Sequence, residues 1–242
     1  MSVICCQADI LDKFFVEYLQ QFNLPILTTT ELVEYSKTHK ITEIICVQST
    51  DCLPSFSSTP KISVINTEQL SDSGRKKFFL DMLNRIERSL GYRIDIYDYS
   101  YVNAVILQRA IIYRPYILNP TENELLKTLL TGPKRYDIAF VGAFSPRRIK
   151  VLDSIRRLGF NIWQSESTYG RTRDIEIASC KLLLNIHWSE SYQIFESIRC
   201  NRWLFAGLPV ITEQSLDKPE HPLLTIASYE DLVETVQRVL KA

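Results

Sequence analysis

Residues 136–163, YDIAFVGAFSPRRIKVLDSIRRLGFNIW, read as a single strand, helix, strand unit. Asp137–Val141 is a short apolar run suited to a strand buried on both faces, and Phe160–Trp163 is a second such run. Between them Arg147–Leu158 has helical period. Gly142 lets the backbone turn, Ser145 is placed to cap the helix, and Pro146 suits its first turn. A helix lying between two apolar strands implies a parallel pair with a crossover, and that decides the fold class as α/β.

The same rhythm extends in both directions. Downstream come a helix at Thr172–Ala178, a strand at Leu182–Ile186, a helix at Tyr192–Phe205, a strand at Pro209–Ile211, an apolar stretch at Leu223–Ile226 and a closing helix at Tyr229–Leu240. Upstream, strands are expected at Val3–Cys6, Glu43–Val47, Ile62–Ile65 and Arg93–Ile96, with helices at Leu11–Gln21, Thr30–Thr38 and Asp72–Leu90. Arg114–Tyr136 contains Pro115, Pro120, Gly132 and Pro133 around one short helical segment and reads as a linker. The expected division is therefore residues 1–117 and 118–242, two Rossmann-like domains with parallel sheets flanked by helices.

Composition removes several function classes. Lys plus Arg and Asp plus Glu each number 28 among 242 residues, so no global positive field exists to hold nucleic acid. No apolar run approaches the length of a transmembrane segment, and the first residues lack the basic start of a secretory signal. The six cysteines are scattered without CxxC spacing, and read as reduced packing residues of a cytoplasmic protein. A P-loop, a strand-linked GxGxxG and a GxSxG elbow are all missing, which argues against ATP hydrolysis, dinucleotide redox chemistry and α/β-hydrolase chemistry.

Ligands of open parallel sheets bind outside the carboxyl ends of the strands, and there the sequence offers two clusters. The first is Gly142, Ser145, Arg147 and Arg148, where a helix N-terminus and arginine forks suit a pyrophosphate. An ordinary capped helix with solvated arginines accounts for the same residues. The second follows the strand KLLLNIHW: Asn185 and His187 at the strand end, then Glu196 and Arg199 three apart on the next helix. A carboxylate there suits ribose hydroxyls and an arginine suits phosphate; an i,i+3 surface ion pair is the plain alternative.

Over roughly residues 136–213 the chain resembles the nucleotide-sugar domain of GT-B glycosyltransferases, especially small viral or bacterial ones. The matching stretches are YDIAFVGAFSPRR, YGRTRD at Tyr169–Asp174, LLLNIHW, and FESIRCNRWLFAGLPVITE with Glu196, Arg199, Gly207 and Glu213. The resemblance implies two domains facing across a cleft and a donor diphosphate at helix N-termini. Donor contacts then fall to Gly142, Ser145, Arg147, Arg148, Gly170, Asn185, Glu196 and Arg199. It also implies transfer of a sugar from a nucleoside diphosphate to a hydroxyl of a glycan or glycoprotein acceptor, with no cofactor beyond the donor and no metal. Arg147, Arg148 and Arg199 would stabilise the leaving diphosphate.

One departure from that family concerns two glutamates with seven residues between them, which many retaining members carry; those registers here hold Ile194 and Arg202. The first half resembles the acceptor-side domain more weakly, through VINTEQL and IYDYSYVNAVIL. There Asn66 and Gln69 are acceptor-side candidates and Glu68 a candidate general base, with His187 the other catalytic candidate; a polar turn explains residues 66–69 equally well. Asp95 and Asp98 have D-x-x-D spacing rather than a metal-binding D-x-D, so no metal site is expected. The rival function is a non-catalytic module of the same form that binds a glycan or a partner protein.

Overall fold

The computed structural model describes residues 1–7, 16–48, 53, 60–117 and 119–241. The chain divides into two compact units, Met1–Ile117 and Leu118–Ala242. Each is built on one wholly parallel sheet.

In the first unit the strands are β1 (Ser2–Cys5), β2 (Ile26–Leu27), β3 (Glu43–Val47), β4 (Lys61–Asn66), β5 (Asp95–Asp98) and β6 (Ile112–Tyr113), in the order β2-β1-β3-β4-β5-β6. Its helices are α1 (Val16–Gln20), α2 (Thr29–Ser36), α3 (Ser73–Leu90) and α4 (Tyr101–Leu107). The helix expected over Leu11–Gln21 is seen from Val16; the rest lies outside the described residues. The helix expected at Thr30–Thr38 starts at Thr29, where Thr28 caps it and Glu31 completes the capping box. The two-residue strands β2 and β6 and the helix α4 were not anticipated, being too short to show a period.

The second unit contains α5 (Pro120–Leu130), β7 (Tyr136–Val141), α6 (Pro146–Arg157), β8 (Ile162–Ser165), α7 (Gly170–Ala178), β9 (Cys180–Asn185), α8 (Ser197–Ala206), β10 (Val210–Glu213), β11 (Leu224–Ala227) and α9 (Leu232–Lys241). The sheet order is β11-β10-β9-β7-β8. Its two faces carry separate cores, as alternation along a strand requires. Ala139, Leu183 and Val210 point to the side of Leu126, Phe195 and Trp203. Ile138, Phe140, Leu182, Leu184 and Ile211 point to the side of Val151, Leu152, Ile155, Leu232 and Val236.

Two expectations fail in this unit. The short helical segment expected within a linker is α5, whose Leu126 is 1% exposed within the core, so residues 120–130 pack as part of the body of the second unit and not as a connection. The helix expected from Tyr192 begins only at Ser197. Residues before it form an irregular loop, in which Phe195 N–H donates to Asp217 (2.8 Å) and Leu216 N–H to the Gln193 carbonyl (2.8 Å).

The strand order places a reversal between β7 and β9, since the chain leaves β7 to one side for β8 and returns to the other side for β9. Such a reversal opens a crevice at the carboxyl ends of the two central strands. In this chain those ends are Val141-Gly142 and Asn185-Ile186-His187.

Candidate functional site

The carboxyl end of β7 is followed by Gly142, whose φ of 140° is a conformation that L side chains rarely adopt. The glycine also lies close beneath two arginine side chains. A methyl group there would lie 3.3 Å from Arg148 Nη1 and 3.5 Å from both Arg199 Nη1 and Nη2. Two guanidinium groups, from α6 and α8, thus converge on the backbone at the crevice.

Ser145 caps α6 as expected, accepting from Arg148 N–H (3.3 Å), and its hydroxyl donates to the Trp188 carbonyl (2.9 Å). The cap joins the loop after β7 to the loop after β9. Arg148 is held against the sheet end: Nε donates to the Ile186 carbonyl (2.8 Å) and Nη1 to the Ala143 carbonyl (2.9 Å). Its guanidinium lies 5.6 Å from the Phe140 ring centroid and 5.7 Å from that of Trp188. Burial pulls its pKa down to about 10; Glu196 works against that shift and the like charge of Arg199 adds to it.

Arg199 Nη1 donates to Asn185 Oδ1 (3.3 Å) and to Glu196 Oε2. Glu196 Oε1 lies 3.9 Å from Arg148 Nη2, so one carboxylate faces both guanidiniums. Among the described residues neither Arg148 Nη2 nor Arg199 Nη2 makes a hydrogen bond. Glu196 sits at the N-cap of α8 with no side-chain cap bond, and Ser197 Oγ in the first turn is buried without a partner. Gly142, Ser145, Arg148, Asn185, Glu196 and Arg199, named from sequence, are therefore brought together.

Three other candidates go elsewhere. Arg147 Nη1 and Nη2 both bind the Glu213 carboxylate (2.6 Å for Nη1), and its guanidinium lies 3.6 Å over the Tyr229 ring. Both its edge and its face are thus spent on the fold, contrary to the phosphate-side role expected of it. His187 is 1% exposed, its Nε2 facing the Gln214 carbonyl at 3.2 Å and its N–H donating to Glu213 (3.0 Å), so it scaffolds the loop. Its Nδ1 is buried without a partner. Gly170 opens α7 with φ 56° and nothing within 4 Å of where a side chain would start, so no close approach requires it.

The family registers that would carry glutamates are interior. Ile194 is fully buried, and Arg202 is clamped by Asp174 through Nη1 (2.6 Å) and Nη2 (2.7 Å), with Nε donating to Glu122. Arg202 ties α8 to α7 and α5.

In the first unit Glu68 is half-buried, with Gln48 Nε2 3.3 Å and Arg75 Nε 3.7 Å from its carboxylate. Asn66 and Gln69 are buried rather than lining a surface. Asp95 pairs with Lys61 (2.6 Å), whereas Asp98 is fully buried beside Asn66 and Asn103. Three residues apart on a strand, the two carboxylates point to opposite faces, and among the described residues no cluster is arranged for a metal. No described helix is long and apolar enough to cross a membrane.

No protein-family model matches the chain. It is similar to uncharacterized proteins of Acanthamoeba polyphaga mimivirus. One is 33% identical over 242 aligned residues, covering 94% of this chain and 32% of that protein. A second is 38% identical over 186 residues, covering 74% of this chain and 20% of its own length. A third is 37% identical over 185 residues, covering 73% and 58%. The chain thus spans about a third of the first of these relatives, a fifth of the second and under two thirds of the third.

Proposed function

We propose that the second unit binds the diphosphate of a nucleotide sugar, and that the protein is a metal-independent glycosyltransferase of the GT-B type acting on a glycan or glycoprotein hydroxyl. The observation that carries the reading is the convergence of Arg148 and Arg199 on Gly142 at the reversal of the sheet. Like charges held together, one of them desolvated, cost free energy that an anion offsets. Two open Nη2 donors and the start of α8 give that anion partners without moving the backbone. Glu196 is the hydroxyl acceptor beside the phosphate donors and suits the ribose.

In this reading the leaving diphosphate gathers charge as the glycosidic bond breaks, and preorganised guanidiniums stabilise it most at that moment. Arg148 and Arg199 supply the stabilisation; Arg147 orients the loop through Glu213. Glu68 of the first unit is the proposed base toward the acceptor hydroxyl. Burial of both glutamate registers at Ile194 and Arg202 favours a second reading, a binding module of the same form without transfer chemistry.

A thermal-shift panel separates them. UDP-, GDP- or dTDP-linked sugars are expected to raise the melting temperature of the wild type, and Arg199→Ala to weaken that binding by tenfold or more. Stabilisation by oligosaccharide alone selects the binding module. If nucleotide sugars bind Arg199→Ala as well as wild type, the site is wrong.

A further inference from the structure

The turn that carries Glu68 is held from beneath by three buried side chains. Asn66, at the end of β4, donates through Nδ2 to the Glu68 carbonyl (3.0 Å) and accepts Glu68 N–H at Oδ1 (3.1 Å). Asn103, in α4, donates through Nδ2 to the same carbonyl (3.1 Å) and accepts Leu70 N–H at Oδ1 (3.0 Å). Each carboxamide has one Nδ2 hydrogen left, and both reach one carboxylate: Asn66 Nδ2 to Asp98 Oδ2 (2.7 Å), Asn103 Nδ2 to Asp98 Oδ1 (3.0 Å). Ser100 N–H also donates to Asp98 Oδ1 (2.9 Å). Asp98, Asn66 and Asn103 are all fully buried.

We propose that Asp98 is the positioning residue of the turn Asn66–Leu70, and that its carboxylate form is what holds Glu68 in place. A carboxylate accepts only, and every hydrogen bond it makes among the described residues comes from a donor. That arrangement sets which way both carboxamides face. A protonated Asp98 carries an O–H that needs an acceptor, and the two carboxamides already in contact with it carry Asn66 Oδ1 and Asn103 Oδ1. Turning either carboxamide to meet it withdraws that oxygen from Glu68 N–H or Leu70 N–H, and the turn loosens. No atom of Asp98 touches a ligand; it acts through the two asparagines.

The switch falls at an accessible pH. Burial pushes the Asp98 carboxyl up to about 7, against the hydrogen bonds from Asn103, Ser100, Asn66 and Tyr99 that favour the charged form. Among the described residues, the ionisable groups that the structure sets beside it are the Tyr18 phenol from α1, which feels the Asp98 charge, and Arg114 just after β6, whose backbone N–H donates to the Asp98 carbonyl (2.7 Å). Tyr18 donates to the Arg114 carbonyl (2.6 Å), and burial with the nearby Asp98 charge pushes its own pKa far above 10, so it stays neutral across the window.

The proposal predicts that the side-chain NH₂ resonances of Asn66 and Asn103 titrate together with a midpoint near 7 in the intact chain, followed by NMR. Exchange protection of the Glu68 and Leu70 amides, corrected for intrinsic pH dependence, is expected to fall tenfold or more from pH 8 to pH 6. Asp98→Asn, which must turn an N–H toward a donor, should show the low-protection state at pH 8 and no titration. Carboxamide signals unchanged between pH 5 and 9 in the wild type overturn the proposal even if the variant does not fold. Glu68→Gln tests the base reading separately: loss of transfer with the titration intact supports both, and unchanged transfer removes the base while leaving the positioning claim standing.

Discussion

Removing the Arg147 side chain leaves the Glu213 carboxylate, 7% exposed, with only the His187 N–H among the partners described for it here. Breaking one side of a buried ion pair costs about 3 kcal/mol or more, because the remaining charge has no water to return to. Arg147→Ala is therefore expected to lower the urea midpoint of the second unit clearly, while Arg199→Ala, whose side chain is 30% exposed, should move it little. Nucleotide affinity should move most in Arg199→Ala. Equal destabilisation of the two variants would refute the division of labour. From sequence the adjacent pair Arg147-Arg148 looked like one cationic patch. Their partners settle the difference, and Glu213 lies 66 residues from Arg147, beyond any local pattern. Gly142, Ser145 and Arg148 were legible because strand end, cap and first turn are all written within seven residues.

Three helices of the second unit, α5, α7 and α8, are tied to one another by an interior ion cluster as well as by their shared apolar core. Arg202 of α8 meets Asp174 of α7 and Glu122 of α5. Arg202→Met alone removes the arginine from Glu122 and leaves Asp174 with Arg173 (3.3 Å), and is expected to cost about 3 kcal/mol in urea unfolding. Replacing Arg202, Asp174 and Glu122 together by apolar residues of similar volume should recover most of that loss. No recovery in the triple variant would show that the cluster is not the source of the cost. Elements of strong period such as α3, α6 and β9 were readable from sequence, since burial of a whole face imposes the pattern. α5 was taken for part of a linker because Pro120, Gly132 and Pro133 bracket it. Its place in the core depends on Leu126 packing beside residues far along the chain. The start of α8 was misplaced because the apolar residues Ile194 and Phe195 continue the helical period without continuing the helix.

At the scale of the molecule, each unit buries a core of its own on its own sheet. A ligand confined to the second unit should raise only the calorimetric transition belonging to that unit, because mass action rewards the species that binds. A nucleotide that shifts both transitions equally would contradict a site held by Arg148 and Arg199 alone. Both sheets share a reversal of strand order beside their first strand, so the α/β class and the parallel sense followed directly from alternation of strand and helix. The register of the neighbours did not, since it is decided by packing across the sheet.

The reversal between β7 and β9 also sets when the proposed anion site comes into being. Ala139 pairs with Leu183 only after the chain has travelled out through β8 and α7 and returned. That pairing is a slow, non-local closure. Until it is complete, Gly142 and Asn185 are not neighbours and the two guanidiniums have nothing to converge on. A nucleotide bound as proposed therefore meets its site only after β7 and β9 have paired. In a refolding experiment it should slow unfolding in proportion to its occupancy and leave the folding rate unchanged, as interactions absent from the transition state do. The ligand would then serve as a clock for the pairing of β7 with β9.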